Sequence, residues 1–464
     1  MTDRLSSGAE RLDSVLGGGL PSNGIVLLCG RPGAGKTILA QQYVFHNASA
    51  ERPSVYLSTV SEPLEKILRY GQSLDFFDPS ALGTKVIYED LGQTLNDDGL
   101  PGALSRITEI LKRYQPGLLV IDSFLALQTY AADPEALRRF VHEMAARLSA
   151  LPVTSFWVGE YDITDTLAAP EFAIADAIVS LATEQEAERD RRVLSVLKLR
   201  GSGSLSGKHA YRISDAGLDV FPRMADPVDF DRYGGPPERM TSGVPALDAM
   251  VADGFYRGAS TLVAGPSGIG KTLLGLHFIF NGAERGETGV IATFQENPTQ
   301  LERILNGFSW SLDDRGIELM YRTPVDLYLD EWVHGLLERV HRTGATRVVI
   351  DSLGDLRASA VDEVRFREYV YSLLQRCARH SISVVMTQEV PELFGIDRLS
   401  EYGVSHLSDN VILLQFIRGN SQLKRALTIL KARGSPHDTS TRQFEITSSG
   451  IVLGDQFEFG QDLR

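Results

Sequence analysis

Residues Gly30 to Thr37 read GRPGAGKT, and residues Gly265 to Thr272 read GPSGIGKT. The spacing G-x-x-x-x-G-K-[ST] is suited to holding a polyphosphate. Gly30, Gly33 and Gly35, with Ala34 between them, would let the backbone curl so that its N–H groups surround an anion; Gly265, Gly268 and Gly270, with Ile269, would do the same. The positive end of a following helix would add to the attraction. Lys36 and Lys271 would reach the β- and γ-phosphates of ATP, and Thr37 and Thr272 would each offer a hydroxyl to Mg²⁺.

Three further sets of residues complete such a chemistry. Asp122 and Asp351 each close an apolar run, in LLVIDS and VVIDS. A carboxylate at the tip of a buried strand is costly unless a cation waits there, so both are read as partners of Mg²⁺, with a helix cap as the alternative. Hydrolysis also needs a group that orients or deprotonates water. Glu296, in ATFQENP, is the second-half candidate. The first half has Val60 and Ser61 at the matching positions, and its nearest acid is Glu62. Either Glu62 acts from a shifted position, or the first site binds ATP more than it turns it over and Glu62 is a helix N-terminal acid beside Pro63. Finally, Lys198 and Arg200, like Lys431 and Arg433, alternate on a strand and so share a face. Two adjacent cations call for an anion, and a neighbouring subunit's nucleotide would supply one. The alternative is a basic strand edge that discourages aggregation.

These residues recur in order. The octets are 235 positions apart, and Gly8, Leu12 and Asp13 return as Gly243, Leu247 and Asp248 at the same offset. The VIDS strands match at 229, so an intervening loop differs by six residues. An ordered series of this kind is an internal duplication, and a period this long means two domains rather than a solenoid. A stretch rich in Pro, Gly and charge, Phe221 to Gly243, has linker composition. The expected boundaries are 1–225, a linker at 226–240, and 241–464.

Within each half, short apolar runs alternate with helical periodicity. GIVLLCG, SVYLST and GLLVIDS read as strands, and DPEALRRFVHEMAARLSA as an amphipathic helix capped by Asp133. The fold class is therefore α/β, with a mostly parallel sheet covered by helices on both faces. DAIVSLATEQEAERDRRVLSVLKLRGS reads instead as strand, charged turn, strand, extending the sheet antiparallel. VDEVRFREYVYSLLQRCARH reads as a packing helix.

Composition bounds the function. The 464 residues are 43% hydrophobic and carry a net charge of -14, which argues against a broad nucleic-acid surface. Two cysteines, Cys29 and Cys377, and the lack of a basic-then-apolar start point to a reducing, cytoplasmic setting. No apolar run is long enough for a membrane span, and no histidine cluster has metal-ligand spacing.

Together the two octets, the VIDS strands, the LKLRGS and LKARGS segments and the SHLSDNVILLQF run resemble the KaiC family of RecA-like ATPases, over nearly the whole chain. The resemblance implies two tandem RecA-like P-loop NTPase domains in a hexameric ring, with ATP between subunits. It implies that Lys198, Arg200, Lys431 and Arg433 contact ATP across that interface. Family members carry paired glutamates after the second strand; Gln295-Glu296 keeps one and Val60-Ser61 neither. One member phosphorylates an adjacent Ser-Thr pair in its own second domain, and the matching positions here are Ser405 and His406. The expected function is a MgATP-hydrolysing homo-oligomer that signals to a regulatory protein partner. A serine/threonine autokinase acting on Ser405 and a DNA-dependent recombination or helicase motor are the alternatives.

Overall fold

The computed structural model describes residues 3–59, 64–161, 169–186, 189–224, 238–312, 316–325, 327–360, 362–391, 404–419 and 422–456. The chain divides into two units, Met1–Arg223 and Met224–Arg464.

In the first unit, six strands run parallel because each returns through a crossover that lays helix on the sheet. Their order across the sheet is Val86–Asp90, Ser54–Ser58, Leu118–Asp122, Thr154–Gly159, Ile25–Gly30 and Ala177–Glu186. Arg189–Leu199, His209–Ser214 and Gly217–Phe221 then continue the sheet antiparallel. The second unit repeats this with Ile317–Tyr321, Gly289–Thr293, Arg347–Asp351, Ser383–Glu389, Ser260–Gly265 and Asn410–Gly419 parallel. Gln422–Ala432, Arg442–Thr447 and Gly450–Gln456 follow antiparallel. The fold is thus two tandem RecA-like α/β domains, and the two strands expected within 176–202 pair antiparallel.

The central strands are buried on both faces, which is why they read as unbroken apolar runs. One face of the first sheet is sealed by Leu104, Ile107, Met144 and Leu148 from the helices Gly92–Tyr114 and Pro134–Ser149. The other is sealed by Leu39, Tyr43 and Val44 of Lys36–Asn47. The Asp133 carboxylate accepts from the Ala136 N–H at 2.7 Å, closing the N-terminus of its helix. Asp362 caps Glu363–Arg379, whose Phe366, Tyr369 and Leu373 are buried in the second core. Both cysteines are buried and unpaired with each other.

One difference from the sequence reading lies at the seam. Arg239–Met240, placed in the linker on composition, pairs antiparallel with Phe255–Tyr256. The first unit has the same two-stranded ribbon at the same offset, Arg4–Leu5 with Leu20–Pro21. A strand of two residues is too short to show a period. The recurring Asp13 and Asp248 fasten this entrance: each carboxylate accepts from a backbone N–H, of Ser7 at 2.8 Å and of Ser242 at 2.7 Å.

Candidate active site

Each octet links a fully buried strand to a helix: Ile25–Gly30 to Lys36–Asn47, and Ser260–Gly265 to Lys271–Glu284. Gly35 and Gly270 precede these helices with φ of 90° and 117°, backbone that favours glycine. Gly30 and Gly265 are needed for a different reason. A Cβ there would stand 2.2 Å from the Leu181 carbonyl oxygen and 2.6 Å from that of Leu414. Gly33 and Gly268 also have positive φ, at the crests of the loops, while Ala34 and Ile269 are buried beneath them.

The hydroxyl of Thr37 donates to Asp122 Oδ2 at 2.8 Å, and that of Thr272 to Asp351 Oδ2 at 2.7 Å. The structure therefore brings the loop threonine and the strand-tip aspartate together in both units. The second support of each aspartate differs. Tyr56 donates its phenol to Asp122 at 2.6 Å from one neighbouring strand, whereas Thr387 donates to Asp351 from the other. Sequence reasoning missed both donors, because a tyrosine or threonine on a buried strand reads simply as core.

Lys36 and Lys271 fold back on their own loops, donating to the carbonyls of Arg31 at 3.0 Å and Pro266 at 2.9 Å. Burial lowers both ammonium pKa values, because desolvation disfavours the charged form. Nearby carboxylates oppose it: Glu160 and Asp122 for Lys36, and Glu389, Asp351 and Glu296 for Lys271. Glu160 and Glu389 were also missed. A single acid after a strand is an ordinary surface residue, and only the shared position of the two, at the offset of the VIDS strands, marks them.

Glu296 is half-buried just beyond the strand Gly289–Thr293 and accepts from Thr293 Oγ1 at 3.3 Å. Burial raises its pKa, and Asp351 adds to the effect. A carboxyl held closer to neutrality is a better proton acceptor at working pH than an ordinary surface glutamate. Gln295 turns away, donating to Asp355 Oδ2 at 3.0 Å. Glu62, with Val60 and Ser61, lies outside the described residues.

The Lys-x-Arg pairs have partners within the chain. Lys198 donates to the carbonyls of Phe172 and Ala173, at 3.3 and 3.0 Å, near the end of the helix Pro170–Ile174. Lys431 donates to the carbonyls of Ser405 and Ser408, at 3.3 and 2.6 Å. Arg200 pairs with Asp176 at 3.2 Å, and Arg433 with Asp409 at 3.4 Å. Each lysine pKa is lowered first by burial and then by its neighbouring arginine, so the two cations do share a neighbourhood. The arginines remain largely exposed, at 59% and 61%. Ser405 sits half-buried in the short helix Val404–Leu407, beside the exposed His406.

In the first unit a cavity of about 1140 Å³ opens over the loop, lined by Lys36, Thr37, Asp122, Glu160, Tyr70 and Ile213 among others. Its lining joins the loop lysine and two carboxylates to an apolar side formed by Ile67, Tyr70 and Ile213.

A family model described as "ATPase: KaiC" matches residues 5–225 and again 240–458. The chain belongs to the KaiC ATPase family. Among KaiC relatives, the "Circadian clock oscillator protein KaiC" of Picosynechococcus sp. is 29% identical over 467 residues, covering 97% of this chain and 89% of that protein. "Circadian clock oscillator protein KaiC 1" of Synechocystis sp. is 29% identical, covering 97% and 88%. KaiC of Parasynechococcus marenigrum is 29% identical, covering 98% and 91%. Both KaiC repeats here keep the loop, its lysine and the threonine–aspartate pair, so the chain is a nucleotide-using ATPase of two tandem domains. Among the described residues, no helix is long and apolar enough to cross a membrane.

Proposed function

We propose that the chain binds and hydrolyses MgATP at the subunit interfaces of a homo-oligomeric ring, a hexamer, and passes its nucleotide state to a regulatory protein partner in the cytoplasm. The observation that carries this reading is the pairing of Thr37 with Asp122 and of Thr272 with Asp351, beside the loop lysines. The donor set is hard oxygen, which suits Mg²⁺ better than a softer metal. The hydroxyls would hold the ion and the aspartates its water shell; the ion would neutralise charge on the β- and γ-phosphates. Lys36 and Lys271 would leave their loop carbonyls for phosphate oxygens, and Glu296 would orient the attacking water in the second site.

The exposed guanidiniums of Arg200 and Arg433 support the interface part of the reading. Among the described residues each is held by one half-exposed ion pair, of a kind worth roughly 0–1 kcal/mol, so a neighbour's phosphate could recruit it at little cost. Sizing the protein with and without ATP, as wild type, Lys36→Ala and Lys271→Ala, tests the assignment. We expect Lys36→Ala to harm assembly more and Lys271→Ala turnover more, because the first half lacks the glutamate matching Glu296. Equal effects on both measurements would contradict this division.

Autophosphorylation of Ser405 is a second reading, favoured by one contact. Lys431, the cation assigned to a neighbour's nucleotide, holds the Ser405 carbonyl. The repeat-matched residue in the first unit is Phe172, which has no hydroxyl. Intact-mass spectrometry after incubation with MgATP decides it: no added phosphate on the second domain ends the autokinase reading.

A further inference from the structure

The first site poses a chemical problem. It has the loop, the lysine, the threonine and the aspartate, but Val60 and Ser61 stand where the second site has Gln295 and Glu296. Water attacking a phosphorus must lose a proton, and none of the groups assigned so far to the first site, among the described residues, is a free base. Asp122 already accepts two hydrogen bonds, from Thr37 and Tyr56.

Glu160 stands in the right place. The strand Thr154–Gly159 lies between the loop strand and the Asp122 strand, with Cys29 opposite Gly159 and Asp122 opposite Val158. Glu160 is the next residue, just past the carboxyl end of this central strand and level with the first loop glycine. The second unit has this register explicitly: Gly265 is opposite Glu389. Glu160 is exposed and lines the cavity together with Lys36, Thr37 and Asp122. It is the leading carboxylate acting on Lys36, whose ammonium donates to the Arg31 carbonyl. A cation and a carboxylate that line one cavity, the cation bonded to its own loop, are placed to flank a reacting group.

We propose that Glu160 is the water-orienting base of the first site, the role that Glu296 takes in the second. The inference rests on the reading that the first site binds and hydrolyses ATP. The Glu160 carboxylate accepts a hydrogen bond from the attacking water and takes its proton as the oxygen–phosphorus bond forms. The bond from the γ-phosphorus to the bridging oxygen breaks, and its electron pair leaves with ADP, whose charge Lys36 offsets. The proton then passes from the Glu160 carboxyl to phosphate or to solvent. Glu389 duplicates the position beside Glu296, where a base is already present, so it matters less.

The test uses the full chain carrying Lys271→Met, so that turnover reports the first site. Binding of a fluorescent ATP analogue, abolished by Lys36→Ala, shows first that this site holds nucleotide. Glu160→Gln is expected to lower kcat on the order of a hundredfold with KM little changed. Glu160→Asp should retain an intermediate rate, and added formate should restore part of the rate of Glu160→Ala but not of Glu160→Gln. In an otherwise wild-type second site, Glu389→Gln should cost only a few-fold. An unchanged kcat in Glu160→Gln overturns the inference, as does a loss found in Glu62→Gln but not in Glu160→Gln. A site that binds ATP and shows no turnover also overturns it, while failure to bind ATP at all removes the reading beneath it.

Discussion

His277 gives the second domain an acid sensitivity at a position where the first domain has none. It lies on the helix Lys271–Glu284, is 7% exposed, and its Nε2 accepts from the Ile451 N–H at 2.9 Å. The first unit places Gln42 at the same position, where its Oε1 accepts from the Leu218 N–H at 3.1 Å. Both side chains thus pin the last strand of their sheet, but only one titrates. Burial pushes the imidazole pKa down from 6.5 to about 4. The unfolded chain therefore binds more protons between these values, and stability falls as pH drops through that window. Linkage gives a loss of about 2 kcal/mol by pH 5 and about 3 kcal/mol by pH 4, relative to neutral pH. Denaturant unfolding of wild type and His277→Gln from pH 7 to 4.5 measures it. Trp310, whose ring meets His277 edge-on at 4.9 Å, serves as a local fluorescence probe. His277→Gln should flatten the loss seen by that probe. If both proteins lose the same stability between pH 6.5 and 4.5, or if the imidazole titrates near 6.5 in the folded chain, the reasoning is wrong.

Other outcomes follow from the packing. Thr272→Ala should lower Mg²⁺-dependent turnover at least tenfold and raise the Mg²⁺ concentration needed, whereas Thr272→Ser, which keeps the hydroxyl, should retain most activity; steady-state kinetics across a magnesium titration separates them. Gly30→Ala drives a methyl group to 2.2 Å from the Leu181 carbonyl oxygen and should cost about 1–3 kcal/mol of first-domain stability, read by chemical denaturation. Arg347 is 1% exposed and donates to Glu287 and to the carbonyls of Thr241 and Phe278, so Arg347→Leu should cost about 3–5 kcal/mol. The repeat-matched residue is Leu118, so the fold itself accepts leucine there, and the loss should shrink when Glu287 is replaced by Gln in the same chain.

The phosphate loops, the strand-tip aspartates and the duplication were legible because each is a local pattern stated twice. Gly35 and Gly270 announce themselves through the backbone they must adopt, and Asp133 through its place before an amphipathic run. What was not legible depends on neighbours distant in sequence. Tyr56 and Thr387 support Asp122 and Asp351 from opposite sides of the strand, so comparing the repeats position by position hides their common task. Arg239 and Met240 looked like linker because two residues carry no period, and their pairing with Phe255 and Tyr256 is a tertiary fact. The Lys-x-Arg pairs were read from their mutual repulsion and their recurrence in both halves, not from their partners. The carbonyls of Phe172 and Ser405 and the carboxylates of Asp176 and Asp409 that receive them lie some two dozen residues upstream.

Asp176 and Asp409 each serve two clients. One oxygen takes the guanidinium of Arg200 or Arg433; the other accepts the first N–H of the loop strand, from Ile25 or Ser260, at 3.0 Å in both. Were a rival anion to draw the arginine off, the backbone tether would survive, so the side chain could swing outward without unseating the strand that leads into the glycine loop. The aspartate would then work as a hinge pin: a moving arm on one side, a fixed frame on the other.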